Sequence, residues 1–157
     1  LAGDGDLRRQ LEQQARAAGL AARVHFPGAI GRKEVPAWYA AADLFLLPSV
    51  HDAAGNVDGL PNVLLEALAS GCSVIASDLA GPRMVMGDGA NGVLVPEGDA
   101  PALTAAIERL LADGELRRRL GVAARGRAVA ELTWDRCVDT LEEIYAGAER
   151  RLAGRPA

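Results

Sequence analysis

The sequence predicts an α/β fold: a Rossmann-like, doubly wound parallel sheet with helices on both faces and C-terminal helices packed on it. Three observations carry that expectation. Short apolar runs of strand character recur at "RVHF" (23–26), "DLFLLP" (43–48), "SVIAS" (73–77) and "NGVLVP" (91–96), and segments of helical periodicity separate them. The connections are long enough for crossovers, and strands alternating with helices imply parallel neighbours. Half of the 157 residues are hydrophobic and only 4% are aromatic, which suits an aliphatic core of helices on a sheet.

Leu1 and Ala2 read as the last residues of a strand and Gly3-Asp4-Gly5 as the turn after it, so an N-terminally truncated start is expected. Leu7, Leu11, Ala15 and Ala18 recur at helical spacing, with Asp4 or Asp6 available as N-cap and Gly19 placed after the last turn. Pro27-Gly28 ends the first short strand, and "EVPAWYAAA" forms a helix that leads into "DLFLLP", apolar enough to be a central strand. A helix then runs to Ser70, where Gly71 stops it, and "SVIAS" and "NGVLVP" follow as strands. In "GDAPALTAAIERLLADG" Asp99 is the expected N-cap and Pro101 stands near the first helical position, and the remainder reads as helix. Residues 1–150 are expected to form one domain and 151–157 a frayed tail.

Composition excludes several function classes. A formal charge of −4 and a pI of about 5.2 provide no positive field for a phosphate backbone, so nucleic acid is not an expected partner. The apolar stretches are too short to span a membrane, and the N-terminus carries no charged-then-apolar leader. Cys72 and Cys137 are too few and too far apart for a metal motif or a disulfide framework; they read as buried thiols in a reducing cytoplasm. His25 and His51 lack partners at ligand spacing, so no metal is expected. His25 reads as a strand residue, and His51 has the better chance of facing a site.

In a doubly wound sheet, ligands bind beyond the carboxyl ends of the strands. That rule gathers residues 3–5, 27–30, 49–62 and 78–82 along one crevice. Within it, "DGLPNVLLEALASG" (58–71) sets Asp58 just before a helix and Glu66 two turns inside it. The N-terminus of that helix offers free amides and a favourable dipole to a phosphorylated ligand. A solvent-facing glutamate is the usual reading of Glu66 alone. The helix is apolar on most sides, however, so burial is expected, and a buried carboxylate needs a partner such as a diol. Asp58 alone is an ordinary loop acid, and its spacing from Glu66 is what raises it. Arg32 and Lys33 read as solvated before they read as phosphate contacts, and "ELRRRLGVAARGRA" as the wet face of a helix.

The segments "AGDGDLRRQLE", "VHFPGAI", "WYAAADLFLLPS", "DGLPNVLLEALASG", "VIASDLAG", "NGVLVPEGD" and "LTWDRCVDTLEEIY" resemble, in order and spacing, the C-terminal nucleotide-sugar-binding domain of retaining GT-B glycosyltransferases of family 4. The resemblance covers nearly the whole chain. It implies one half of a GT-B fold, a hexosyltransferase activity and a UDP- or GDP-sugar as donor substrate, with no other cofactor. It also implies an acceptor-binding domain upstream, including an Arg and a Lys that meet the phosphates. Site roles follow from the same resemblance. Asp58 approaches the sugar ring as the catalytic residue, and Glu66 holds the ribose hydroxyls. The amides along Gly59, Leu60, Pro61, Asn62, Val63, Leu64 and Leu65 meet the pyrophosphate and sugar, and the region of Phe26 and Gly28 meets the base, with Gly3 and Gly5 in the neighbouring turn. Asp58 stands where the family more often has Glu. The alternatives are a sugar-nucleotide-binding module and a GT-B epimerase fragment, and the isolated chain is expected to transfer no sugar.

Overall fold

The computed structural model describes residues 1–87 and 89–153, and it divides into two compact units, Leu1–Trp38 and Tyr39–Ala157. In the first, α1 (Arg8–Ala17) begins at Leu7 without a side-chain cap. Neither Asp4 nor Asp6 takes the expected capping role. Leu7 at the cap position already has helical backbone angles (φ −79°, ψ −9°), and the Asp4 carboxylate instead accepts from the Gly5 N–H at 3.0 Å. The other end follows the sequence. Gly19, at φ +70°, donates to Arg16 O (3.0 Å), and Leu20 donates to Ala15 O (2.8 Å), the paired bonds of a Schellman stop.

The strand expected at 23–26 does not form. A single parallel bridge joins Ala2 to Gly28, supported by the Gly3 N–H on Gly28 O (2.8 Å) and the Leu1 ammonium on His25 O (2.8 Å). Two local features stop a longer ladder. The Phe26 carbonyl is taken by the Arg8 guanidinium at 2.8 Å, and Pro27 has no N–H to donate. His25 therefore lies outside any strand.

α2 (Val35–Ala41) crosses the boundary between the units. In the second unit, β1 (Phe45–Leu47), β2 (Val74–Ser77) and β3 (Val93–Val95) form a parallel sheet in that order. Leu46 pairs with Ile75 and Ile75 with Val93, while Ser77 pairs with Val95. All four residues of β2 are buried, as a central parallel strand covered on both faces must be. The crossovers are α3 (Asn62–Ala69) and α4 (Ala80–Met86), and α5 (Ala100–Ala112), α6 (Gly114–Glu131) and α7 (Trp134–Ala153) follow β3. Residues 78–82 are expected as loop, but helix begins at Ala80; Gly81 and Pro82 are buried, Gly81 against the chain that leads into α3.

One sheet face carries Ile75, Val93 and Val95 into a core with Ala106 and Leu110 of α5 and Leu120 of α6. Burying aliphatic side chains of this size stabilises by about 1.5–3 kcal/mol each. Asp99 caps α5 as expected, accepting from the Ala102 N–H at 2.8 Å, with proline in the first helical positions. Trp134, Val138, Leu141, Ile144 and Tyr145 leave an exposed apolar stripe along α7. Residues 154–157, most of the expected tail, lie outside the described residues.

The basic run of α6 is more than a wet face. Three of its arginines donate to carbonyls at the ends of the preceding helices, where intrahelical partners run out and cations are favoured. Arg125 reaches Ala69 O of α3 (2.5 Å), Arg127 reaches Met84 O of α4 (3.1 Å), and Arg117 reaches Leu110 O and Leu111 O of α5 (2.7 and 2.8 Å). At α3 the accounting closes: Ser70, Gly71 and Cys72 donate to Glu66 O, Leu68 O and Ala67 O, and Arg125 takes the last carbonyl. Gly71, at φ +75°, is the residue that turns the chain there.

Candidate functional site

In the second unit, the site residues expected from sequence gather around the start of α3. Pro61 stands at its N-cap in extended conformation (φ −62°, ψ 129°) and no side chain caps the helix. Proline at this position ends the incoming loop and offers no side-chain acceptor, so no cap takes the first-turn amides, and Asn62 and Val63 are exposed residues. Asp58 and Gly59 are exposed just before it.

Glu66 is exposed, which corrects the expectation of a buried carboxylate. α3 buries one face only, through Leu64, Ala67 and Leu68. Two residues beyond Leu64 is about 200° round a helix, so Glu66 stands on the far side from that core. Asn62, Val63 and Glu66 consequently share the exposed face, with the carboxylate one turn along from the first-turn amides. Its partner is a phenol. Tyr39 Oη donates to Val63 O at 3.0 Å and lies 3.4 Å from Glu66 Oε2. Burial, followed by the charge and hydrogen bond of Glu66, pushes the Tyr39 pKa up to about 12, so the phenol keeps its proton across the working range.

The lead-in to α3 is fixed by two neighbours. Gly81 packs so tightly on it that a β-carbon there would overlap the Gly59 carbonyl. Asp52 gathers the loop ahead of Asp58, accepting from the N–H groups of Ala54 and Asn56 at 2.8 Å and from Asn56 Nδ2 at 3.1 Å. Those bonds, Asn56's foremost, hold its carboxyl below the usual range. His51 donates its backbone N–H to Glu97 Oε1 (2.6 Å) and sets Nδ1 2.9 Å from Oε2, which ties the loop after β1 to the loop after β3. The backbone bond from His51, then its ring, lowers the Glu97 pKa. Beyond β2, Arg83 grips Asp78 with two bonds of 2.8 and 2.6 Å.

In the first unit, Gly3, Gly5, Arg8 and Phe26 line a groove of about 480 Å³. Gly28 is buried at φ +79°, where an added β-carbon would meet Arg8 Nη1 at 3.2 Å. Arg8 also bonds Glu12 at 3.0 Å and faces Asp4 at 3.6 Å, so its guanidinium organises the turn. Arg32 and Lys33 are exposed. Among the described residues no cluster of three or more His, Cys, Asp or Glu side chains has the placement to hold a metal, and no helix is long and apolar enough to cross a membrane. Cys72 is buried as expected, but Cys137 is exposed because α7 turns that side outward.

Sequence reasoning missed Tyr39 and Glu97, and it placed Gly81 along the crevice without its contact with Gly59. Tyr39 lies 27 residues from Glu66 and Glu97 lies 46 from His51, so no local spacing announces either pair.

Residues 1–127 match the family described as Glycosyl transferases group 1. The chain is 35% identical over 148 residues to a GDP-mannose-dependent alpha-(1-6)-phosphatidylinositol monomannoside mannosyltransferase of Mycolicibacterium smegmatis, covering 94% of this chain and 39% of that protein. Sucrose-phosphate synthase from Thermosynechococcus elongatus superposes with a TM-score of 0.80 at 31% identity, over 96% of this chain and 38% of that one. HepE of Anabaena, solved in complex with UDP, superposes with a TM-score of 0.78 at 23% identity, over 94% of this chain and 40% of that one, a likeness of fold. The chain spans between about a quarter and two-fifths of the length of the curated relatives compared, 26% to 41%.

Proposed function

The chain belongs to the group 1 glycosyl transferases, and on that premise we propose that it is the donor-binding half of a retaining enzyme that moves a sugar from a nucleoside diphosphate sugar to an acceptor. The observation that carries the reading is the uncapped start of α3, with Asp58 exposed in the loop before it and Glu66 on its exposed face.

In this reading the α3 N-terminus, with the backbone along Gly59, Leu60, Pro61, Asn62, Val63, Leu64 and Leu65, receives the pyrophosphate and the sugar. Charge builds on the pyrophosphate as the glycosidic bond breaks, and amides aimed at it lower the barrier. Glu66 accepts from the two ribose hydroxyls, and Asp58 approaches the sugar ring. The groove of Gly3, Gly5 and Phe26, with Gly28 beside it, takes the base. Residues 1–150 act as one nucleotide-sugar-binding domain, with the acceptor held by an upstream domain. The GDP-mannose-dependent relative and the UDP-bound neighbour support a nucleoside diphosphate sugar of either base. The donor is a substrate, and the proposal includes no cofactor. The free thiols of Cys72 and Cys137 suit the cytoplasm, where we place the protein.

The test screens UDP, GDP and ADP sugars by thermal shift. Transfer is then measured with labelled donors, for the chain alone and for the chain joined to the upstream domain of its own gene. Positioning of donor and acceptor supplies several kcal/mol of such a barrier, so the chain alone should bind but not transfer. Multiple turnover by the chain alone would sink the donor-half reading. Binding with no transfer by the joined protein would favour a sugar-nucleotide-binding module or an epimerase fragment instead.

A further inference from the structure

We propose that Tyr39 is the positioning residue of the site: its phenol holds the exposed Glu66 carboxylate by one oxygen and thereby presents the other to the ligand. The inference rests on the reading of Glu66 given above and adds what orients it.

Glu66 needs such a device. A glutamate on the open side of a helix samples several rotamers, and each ligand contact must then bear the cost of fixing it. Tyr39, by contrast, is 9% exposed and held at three points. Its ring meets Phe45 edge-on with centroids 5.4 Å apart, its carbonyl accepts from Cys72 Sγ at 3.1 Å, and its single hydroxyl proton is shared between Glu66 Oε2 at 3.4 Å and Val63 O at 3.0 Å. That last bond registers the phenol to the first turn of α3, the same turn that offers its amides. The longer arm of that shared proton reaches Glu66 Oε2, leaving Oε1 for a ligand.

The chemistry favours a phenol over other donors. A lysine or arginine in its place would neutralise the carboxylate and compete with hydroxyl donors for both oxygens. A buried phenol brings one proton, which the carboxylate shares with the Val63 carbonyl, adds no charge, and keeps that proton because burial and Glu66 itself oppose ionisation. The carboxylate thus remains a full acceptor for a diol. The proposed arrangement separates two tasks: the Phe45 ring and the Cys72 thiol fix where Tyr39 is, and its shared proton ties Glu66 to the first turn of α3.

The experiment is a double-mutant cycle on UDP and GDP affinity, using Tyr39→Phe, Glu66→Ala and the double variant. Tyr39→Phe should weaken binding by about three- to tenfold in the native background and by less than about twofold when Glu66 is already alanine. An equal loss in both backgrounds would overturn the proposal, because the phenol would then act only through Val63 and the helix. No loss in the native background would overturn it as well. Should Glu66→Ala bind too weakly to close the cycle, side-chain carbon relaxation of Glu66 in the free chain decides. One ordered conformer in the native chain and averaging in Tyr39→Phe support the proposal; identical order in both overturns it. This second measurement needs no ligand. Native affinity in Glu66→Ala would thus defeat the ribose reading of Glu66 while leaving the test of Tyr39 intact.

Discussion

Gly81, in the first turn of α4, lies directly against the carbonyl of Gly59, in the loop that enters α3. Backbone meets backbone at this point, so no rotamer change can make room for a side chain. Gly81→Ala should therefore push the residue 59–60 peptide aside, lowering stability by about 1–3 kcal/mol and weakening nucleotide binding. Chemical denaturation and calorimetry with UDP or GDP would check both. Native stability with native affinity would show that the loop gives way freely.

Glu66→Ala removes the proposed ribose acceptor from an exposed position, so its effect should fall on binding and spare the fold. A loss of roughly tenfold to a hundredfold in nucleoside diphosphate affinity is expected, with the melting temperature of the free chain nearly unchanged. Calorimetry on the folded variant measures it.

Asp58 precedes the helix whose amides meet the phosphates, so it should matter for the sugar and hardly for the nucleotide alone. Asp58→Asn is expected to keep its affinity for the nucleoside diphosphate and lose affinity for the complete sugar donor. Equal losses with both ligands would contradict its assignment to the sugar.

The tie between His51 and Glu97 carries a pH dependence with a definite sign. His51 lowers the Glu97 pKa, so folding holds the carboxylate ionised below its ordinary value of 4.5. A depressed acid contributes stability above its unfolded pKa and loses it as pH falls through the folded one. Loop 49–58 should accordingly stay protected at neutral pH and loosen as the medium is acidified below the ordinary carboxylate range. Hydrogen exchange or limited proteolysis of that loop, compared between the native chain and Glu97→Gln, would show this. The variant should be looser already at neutral pH, and acidification should remove only the further protection that the Asp52 carboxylate supplies.

Arg117→Ala removes two hydrogen bonds to the last carbonyls of α5 and should cost about 1–2 kcal/mol. The adjacent Arg118 pairs only locally with exposed Glu115, so Arg118→Ala should leave the unfolding midpoint essentially where it is in the native chain. Urea unfolding of the two variants separates these outcomes.

Much of the fold was legible because its signals are local. The runs at 43–48, 73–77 and 91–96 are short, apolar and bounded by turn residues, and each contains a strand of the parallel sheet. Gly19, Gly71 and Asp99 marked helix ends through chemistry that acts within a few residues. The run at 23–26 has the alternating pattern of a strand, with Val24 and Phe26 its two apolar residues, but whether a ladder extends depends on its neighbours, and Arg8 holds the Phe26 carbonyl. α4 was hidden because glycine and proline usually mark turns, whereas here Gly81 is selected by its contact with Gly59. At the site, the acids and the helix start were visible in "DGLPNVLLEALASG". That Glu66 faces outward depends on which side of α3 meets the core, and Tyr39 arrives from another element altogether. The arginines of α6 gave no sign of their targets, since a carbonyl at a helix end has no residue type of its own.

Those arginines also bear on how the second unit comes apart. α3, α4 and α5 each receive an arginine hydrogen bond in their last turn from one continuous helix, so fraying any of them strains a guanidinium carried by the same rod. Local openings should therefore be costly, and backbone amides near the three helix ends should exchange with deuterium together, through one shared opening event. Lifting α6 away would release all three ends at once.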